Sequence, residues 1–294
     1  MTFDRSPQYS IWVLEYGRVP AFPVGALVYG AHNAGTRNLP FCYVLVKGGG
    51  HVVMVDTGVG DDEPKRRLME KHGLVDWTPP ERVLGQIGVS PADVDTILVT
   101  HAHWDHIGNL DAFPHARVVM QRRELNMHTW GMTLPRALGW FTSSVDPADL
   151  DRCVRLAEAG RLQLIDGDVT NVLPGVDLRA APDTHTFGSM WVTVRNGPTA
   201  DDVFVLAGDN VYVYENMVGW SGDGVMMPVG YVEGSHLRTV MAVDSMIREC
   251  GGDTRRVIPV HEARLADEYP SCVSRDGLHV VEIALASGET SRVW

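Results

Sequence analysis

The stretch "TILVTHAHWDHIGN" (residues 96–109) decides how this chain is read. A short apolar, β-branched run, the pattern of a strand covered on both faces, leads straight into His101, His103, Asp105 and His106. Residues two apart in an extended segment share a face, so His101 and His103 are expected to point the same way. Asp105 would continue that face, and His106 would begin the turn beyond. Such groups are costly to crowd together unless they are solvated, paired or metal-bound. Imidazole and carboxylate are ligands for zinc-like divalent ions, so HxHxDH behind a buried strand points to a metal site.

Two metals need more donors than this segment supplies. Three further candidates stand at or just past apolar runs: His185 in "APDTHTFGS" (181–189), Asp209 in "VFVLAGDN" (203–210) and His261 in "RRVIPVHE" (255–262). A strand end holds a ligand stiffly. The other seven of the 12 histidines, His32, His51, His72, His115, His128, His236 and His279, have no such setting and are read as surface or core polar groups.

Upstream, "FCYVLVKGGGHVVMVDTGVG" (41–60) reads as two strands joined at Gly48–Gly50, the second ending at Asp56. Helices are expected at 61–73, where acids lead, bases follow and Gly73 stops the run, and at 78–88 with Thr78 as its cap. Another is expected at 146–160, with Asp146 capping, Pro147 in the first turn and Leu150, Cys153, Val154 and Ala157 on one face. A last one covers 233–252, with Leu237, Val240, Met241 and Ile247 inward. Further strands are expected at 95–100, 116–121, 161–165, 176–181, 190–195, 203–207, 255–262 and 278–287. Hydrophobic strands recurring with single helices between them give an α/β layered sandwich.

Taken together, "VDTG" (55–58), "THAHWDH" (100–106), His185, "GD" (208–209) and His261 resemble the metallo-β-lactamase superfamily. The resemblance implies a four-layer αββα sandwich with two metals at one edge between the sheets, the chain forming a single domain over 1–294. It implies that His101, His103 and His185 hold one metal, that Asp105, His106 and His261 hold the other, and that Asp209 bridges. Asp56 matches a carboxylate that orients metal ligands. Zinc is the expected metal, and iron, manganese or cobalt fit the same donors.

Two divalent ions a few ångströms apart acidify a water between them, which suits hydrolysis of an ester, thioester, lactone or strained amide. Asp105 is placed to pass the proton to the leaving group. Tyr212, three residues after Asp209, resembles the tyrosine of the N-acyl homoserine lactonase branch that hydrogen-bonds the lactone carbonyl. Tyrosine alternating with Tyr214 also suits strand packing. Lactone opening is therefore the expected reaction, with a cyclic amide or a glyoxalase II-like thioester as the alternative. Glyoxalase II appends a basic helical domain, whereas residues 262–294 end in a strand-like run. The aromatic insertion around 122–160, with Trp130, Trp140 and Phe141, is the expected substrate wall, and 220–231 a second one.

The bulk numbers narrow the partners. A net charge of −12 repels phosphate backbones and argues against nucleic acid. No apolar run approaches the roughly 20 residues of a membrane span. The opening segment, with Asp4, does not read as a signal peptide. Four scattered cysteines without CxxC spacing argue against a disulfide framework and fit a reducing, cytoplasmic setting. A small carbonyl substrate is the expected partner. Segment 9–30, with Trp12, Tyr16, Phe22 and Tyr29, is expected to pack either on the core or on a second copy in a homodimer.

Overall fold

The computed structural model describes residues 8–293. The segment carrying Asp4 lies outside the described residues. Strands β1 (Tyr9–Pro23), β2 (Thr36–Gly48), β3 (His51–Val55), β4 (Thr96–Leu98), β5 (Arg117–Gln121) and β6 (Leu162–Ile165) join β12 (Ser271–Val273) and β13 (His279–Ala284) in one sheet. Its order is β12-β13-β1-β2-β3-β4-β5-β6. The other sheet takes β7 (Val169–Leu173), β8 (Val176–Pro182), β9 (Gly188–Arg195), β10 (Val203–Leu206) and β11 (Val257–Ile258), in the order β11-β10-β9-β8-β7. The hairpin at Gly49–Gly50 follows the sequence pattern, and β3, β4 and β5 pair in parallel. Strand β7 was not foreseen, because its exposed Thr170 and Asn171 break the apolar run.

Period-two alternation sorts the side chains into layers. On β1, Trp12, Leu14 and Tyr16 enter a core beneath the outer helices, whereas Ile11 and Val13 enter the core between the sheets. That central layer also takes Val44, Val46, Val53, Val55 and Leu98 from the first sheet, and Leu178, Met190, Val192, Val194 and Leu206 from the second. A third core joins Trp191, Val203 and Val205 of the second sheet to the helix His236–Glu249. Helix, sheet, sheet and helix thus stack as four layers. Trp12 and Tyr16 of the N-terminal segment pack on the core, and Tyr29 is exposed.

Three local expectations change. The helix Pro147–Glu158 is capped by Asp146 as expected, but its inner face is Leu150, Cys153 and Leu156; Ala157 is exposed and Val154 is 60% exposed. Spacing of three rather than four brings Leu156 round to the sheet. In the helix His236–Glu249, Leu237 and Met241 are 72% and 59% exposed, and Thr239, Ala242, Val243 and Met246 face inward. The small Ala242 permits a close approach to the Trp191 side of the sheet. Thr78 does not cap: the helix starts at Pro80 after Pro79, and the Thr78 hydroxyl donates to the Asp76 carbonyl at 3.2 Å. Proline at a helix start sacrifices no intrahelical bond, so the double proline sets the boundary.

All four cysteines are free. Burial pushes the Cys153 and Cys250 thiols up to about 12, which leaves them unreactive. Among the described residues no helix is long and apolar enough to cross a membrane.

The inter-sheet layer is the one on which both sheets depend. Leu98→Ala, at a fully buried position in it, is expected to cost about 2–5 kcal/mol of stability. A urea unfolding curve with its midpoint lowered and its slope unchanged would show this.

Candidate metal centre

Every sequence-singled donor sits beyond the C-terminal end of a strand at one common edge. His101 follows β4, His185 follows β8, Asp209 follows β10 and His261 follows β11. The ends differ in form from the extended segment expected. Strand β4 stops at Leu98, and His103 precedes a single helical turn, Trp104–Ile107, that carries Asp105 and His106. The turn carries Asp105 and His106 toward His261, while the His106 ring stays 4.0 Å between centroids from that of His101.

The outcome is two groups of buried donors. His101, His103, His185 and Asp209 form one, and Asp105, His106 and His261 form the other; within each, one donor atom per residue lies within 4.8 Å of the rest. Asp209 faces both. Its Oδ2 lies 3.4 Å from His185 Nε2 and 3.7 Å from His101 Nε2. Its Oδ1 lies 3.2 Å from His106 Nε2 and 3.3 Å from His261 Nε2.

Each imidazole is pinned through its outer nitrogen. His101 Nδ1 meets Thr100 Oγ1 at 3.0 Å, His185 Nδ1 meets the Tyr231 carbonyl at 3.1 Å, and His261 Nδ1 meets the Pro40 carbonyl at 2.8 Å. His106 Nδ1 meets Asp56 Oδ2 at 2.8 Å. Asp56 also accepts from the Thr100 amide at 2.8 Å and the Thr100 hydroxyl at 2.7 Å. It does so from a left-handed backbone, φ 64°. His103 is turned over: its Nε2 faces outward to Glu233 Oε1 at 3.1 Å, and its Nδ1 faces inward to His185 Nε2 at 3.1 Å. A glycine before Asp209 is required, since Gly208 has φ +53° and a Cβ there would stand 2.9 Å from the Thr100 side chain.

Fit to metal can be judged from what lacks a partner. His101 Nε2, His106 Nε2 and Asp209 Oδ1 are buried and make no hydrogen bond. Buried polar atoms without partners cost free energy, and these converge where a cation would satisfy them. The donor chemistry, five imidazoles and two carboxylates, suits two divalent ions.

Electrostatics separates the two groups. Burial pushes His103 down to about 4 and His185 down to about 3. Burial, then the charges of His106 and His103, holds His101 well below its ordinary value. In His106 burial also opposes the charged ring, but Asp209, Asp105 and Asp56 outweigh it and raise the imidazole well above its ordinary value. His261 is raised in the same way, chiefly by Asp209 against burial. Burial would raise Asp209, yet His106, His261 and His101 hold it well below the carboxylate range.

A cleft of about 130 Å³ opens onto these groups. His103, Asp105, Asp209 and His261 reach it, with Phe22, Ala26, Leu39, Phe41, Trp104, Tyr212 and Tyr231 among its lining. Tyr212 is buried, its ring centroid 5.6 Å from that of His185 and 5.4 Å from that of His261. Burial, then the charges of Asp209 and Asp105, pushes its phenol well above the ordinary value, so it remains a donor. The aromatic insertion contributes less than expected. Ser144 lines the cleft, while Trp130 and Trp140 are half exposed and Trp140 stands behind Tyr231 at 5.6 Å between ring centroids. The main wall comes instead from Phe22, Leu39 and Phe41, because β1 and β2 run long past the sheet. From the second expected wall, Tyr231 reaches the cleft, its hydroxyl 3.0 Å from Ser144 Oγ.

Sequence reasoning missed four residues. His72 lines the cleft, its ring stacked on Trp104 at 5.2 Å. His128, Glu124 and Glu233 are buried beside His103. Burial would raise Glu124, but His128 and its other donors hold it at about 2. An acid and a histidine four apart in one helix, Glu124 and His128, were a visible sign of a pair. Nothing in the sequence marked Glu233 or His72.

The metallo-beta-lactamase superfamily profile matches residues 35–242. The chain belongs to the metallo-beta-lactamase superfamily. Metallo-beta-lactamase domain-containing protein 1 of Xenopus laevis is 52% identical over 33 residues, which span 11% of this chain and only 14% of that protein. A quorum-quenching N-acyl homoserine lactone lactonase superimposes with TM-score 0.65 at 17% identity, covering 94% of this chain and 100% of its own. AidC, a dizinc quorum-quenching lactonase in complex with a product, superimposes with TM-score 0.60 at 16% identity, covering 97% and 100%. At such identities the likeness is one of fold.

A pH dependence follows for this superfamily member. Ligand imidazoles must be neutral. His103 and His185 are already neutral near pH 6, so uptake at their position is expected to vary little between about pH 6 and about pH 8. His106 and His261 start with raised values, so uptake at theirs should release protons and strengthen as pH rises. Calorimetric Zn²⁺ titrations in two buffers of different ionisation heat would read both.

Proposed function

We propose that this chain opens a lactone by attack of an activated water on the ring carbonyl, with two divalent metals held by His101, His103, His185 and Asp209 on one side and by Asp105, His106, Asp209 and His261 on the other. The observation that carries the proposal is the meeting of two donor groups, shared by Asp209 and overlooked by the Tyr212 phenol, in one aromatic-walled cleft. Zinc is the first choice for these donors, and the dizinc centre of AidC supports it.

Bound there, two divalent cations supply an acidified water and a Lewis acid for a carbonyl oxygen. The protein's own groups do the rest. Tyr212 keeps its proton and donates a hydrogen bond to oxygen on which charge develops. Asp105, with Oδ2 3.6 Å from His106 Nε2 and 3.9 Å from His261 Nε2, borders the cleft and relays the proton to the departing ring oxygen. Phe22, Leu39, Phe41 and Trp104 exclude water and receive an apolar substituent of the ring. The cleft is small for a ligand site, so a compact ring fits its floor and a longer chain would run along the aromatic wall. One unit carries both halves of the site, with 122–160 as an insertion beside it.

The test is a pH-indicator assay of metal-analysed protein over lactones, thioesters and cyclic amides. Proton release from lactones is expected; turnover confined to thioesters or cyclic amides would replace the substrate assignment. His103→Ala is expected to abolish hydrolysis and lower metal content by elemental analysis, and retained activity would refute the site. Tyr212→Phe should lower kcat on lactones on the order of 100-fold with both metals kept, and an unchanged rate would return Tyr212 to packing.

A further inference from the structure

His103 differs from the other four imidazoles in the ring nitrogen it presents inward and in what holds it from behind. Its partner, Glu233, lies in the loop before the helix His236–Glu249, and the Glu233 amide donates to the His185 carbonyl at 2.8 Å. Glu233 therefore touches two candidate ligands of one metal position, one by its carboxyl group, which burial pushes up to about 8 against the opposing charge of His128, and one by its backbone. His128 Nε2 stands 3.8 Å from Glu233 Oε2 and 3.0 Å from Glu124 Oε1.

Glu124 completes the arrangement. Its Oε1 accepts from the Ala102 amide, between His101 and His103, at 2.8 Å. Its Oε2 accepts from the Thr186 hydroxyl at 2.8 Å and the Gly188 amide at 2.6 Å, on the loop that carries His185. One buried carboxylate thus fastens two ligand loops from different sheets. The close approach needs Gly188, since a Cβ there would overlap the Glu124 backbone. None of these groups reaches the position built from Asp105, His106 and His261.

We propose that Glu233, backed by His128 and Glu124, is a positioning residue for one metal site: by accepting from His103 Nε2–H it fixes the tautomer that leaves His103 Nδ1 free to bind metal. The inference rests on the two-metal assignment above. A carboxylate behind a ligating imidazole sets ring orientation and basicity, and its loss costs about 10- to 100-fold in metal affinity. Glu233→Gln keeps an acceptor at Oε1, whereas Glu233→Leu removes it.

Co²⁺ titration of metal-free protein, followed by visible absorption and chelator competition, tests this. Wild type should bind two Co²⁺; E233L should lose about 10- to 100-fold in affinity at one position with an altered spectrum there, and E233Q should recover most of the loss. Wild type binding fewer than two Co²⁺ would defeat the two-metal assignment. Two Co²⁺ in wild type with E233L indistinguishable, or weakened equally at both positions, would overturn the role of Glu233 alone. Should E233L fail to fold, long-range ¹H–¹⁵N spectra of Zn²⁺-loaded wild type decide: a slowly exchanging proton on His103 Nε2 supports the proposal, and one on Nδ1 overturns it.

Discussion

Five imidazoles and two carboxylates packed out of water at one sheet edge are the constraint around which the rest is arranged. Left alone, such a cluster strands polar atoms, and His101 Nε2, His106 Nε2 and Asp209 Oδ1 are stranded here. The fold tolerates it because each ring is gripped from outside by a different partner: Thr100, Glu233, Asp56, Tyr231 and Pro40. These grips are drawn from strands, turns and loops far apart in sequence. The precision of the centre is therefore a property of the whole sandwich rather than of the HxHxDH segment.

Charge within the centre is unevenly distributed, and the unevenness has chemical meaning. Three imidazoles, His101, His103 and His185, are driven neutral chiefly by burial. Two lie against Asp209 and Asp105 and are driven the other way. Tyr212 sits over both, kept protonated by burial first and then by the same carboxylates that attract the imidazoles. A neutral donor above two groups of metal-ligating side chains would stabilise charge that develops on an oxygen beside bound cations.

Much of this was legible in the sequence because strand ends announce themselves. The apolar runs before His101, Asp209 and His261 marked where rigid backbone stops, and the order of motifs gave the family. Faces of helices were less legible. Leu237 and Met241 have the spacing of a buried stripe, but packing selected Ala242 and Val243, since contact with a sheet depends on how closely two backbones approach. The cleft wall was misplaced for a related reason: Trp130 and Trp140 are conspicuous, whereas Phe22, Leu39 and Phe41 become a wall only when β1 and β2 overrun the sheet. Glu233 carried no local sign because its partner, His103, is 130 residues away.

The donors divide by sheet in a way that carries a mechanical consequence. His101, His103, Asp105 and His106 hang from β4, and His185, Asp209 and His261 hang from β8, β10 and β11. Neither group of donors is complete on one sheet. An ion seated in either would act as a rivet through the seam of the sandwich, so that prising the halves apart must also tear out metal.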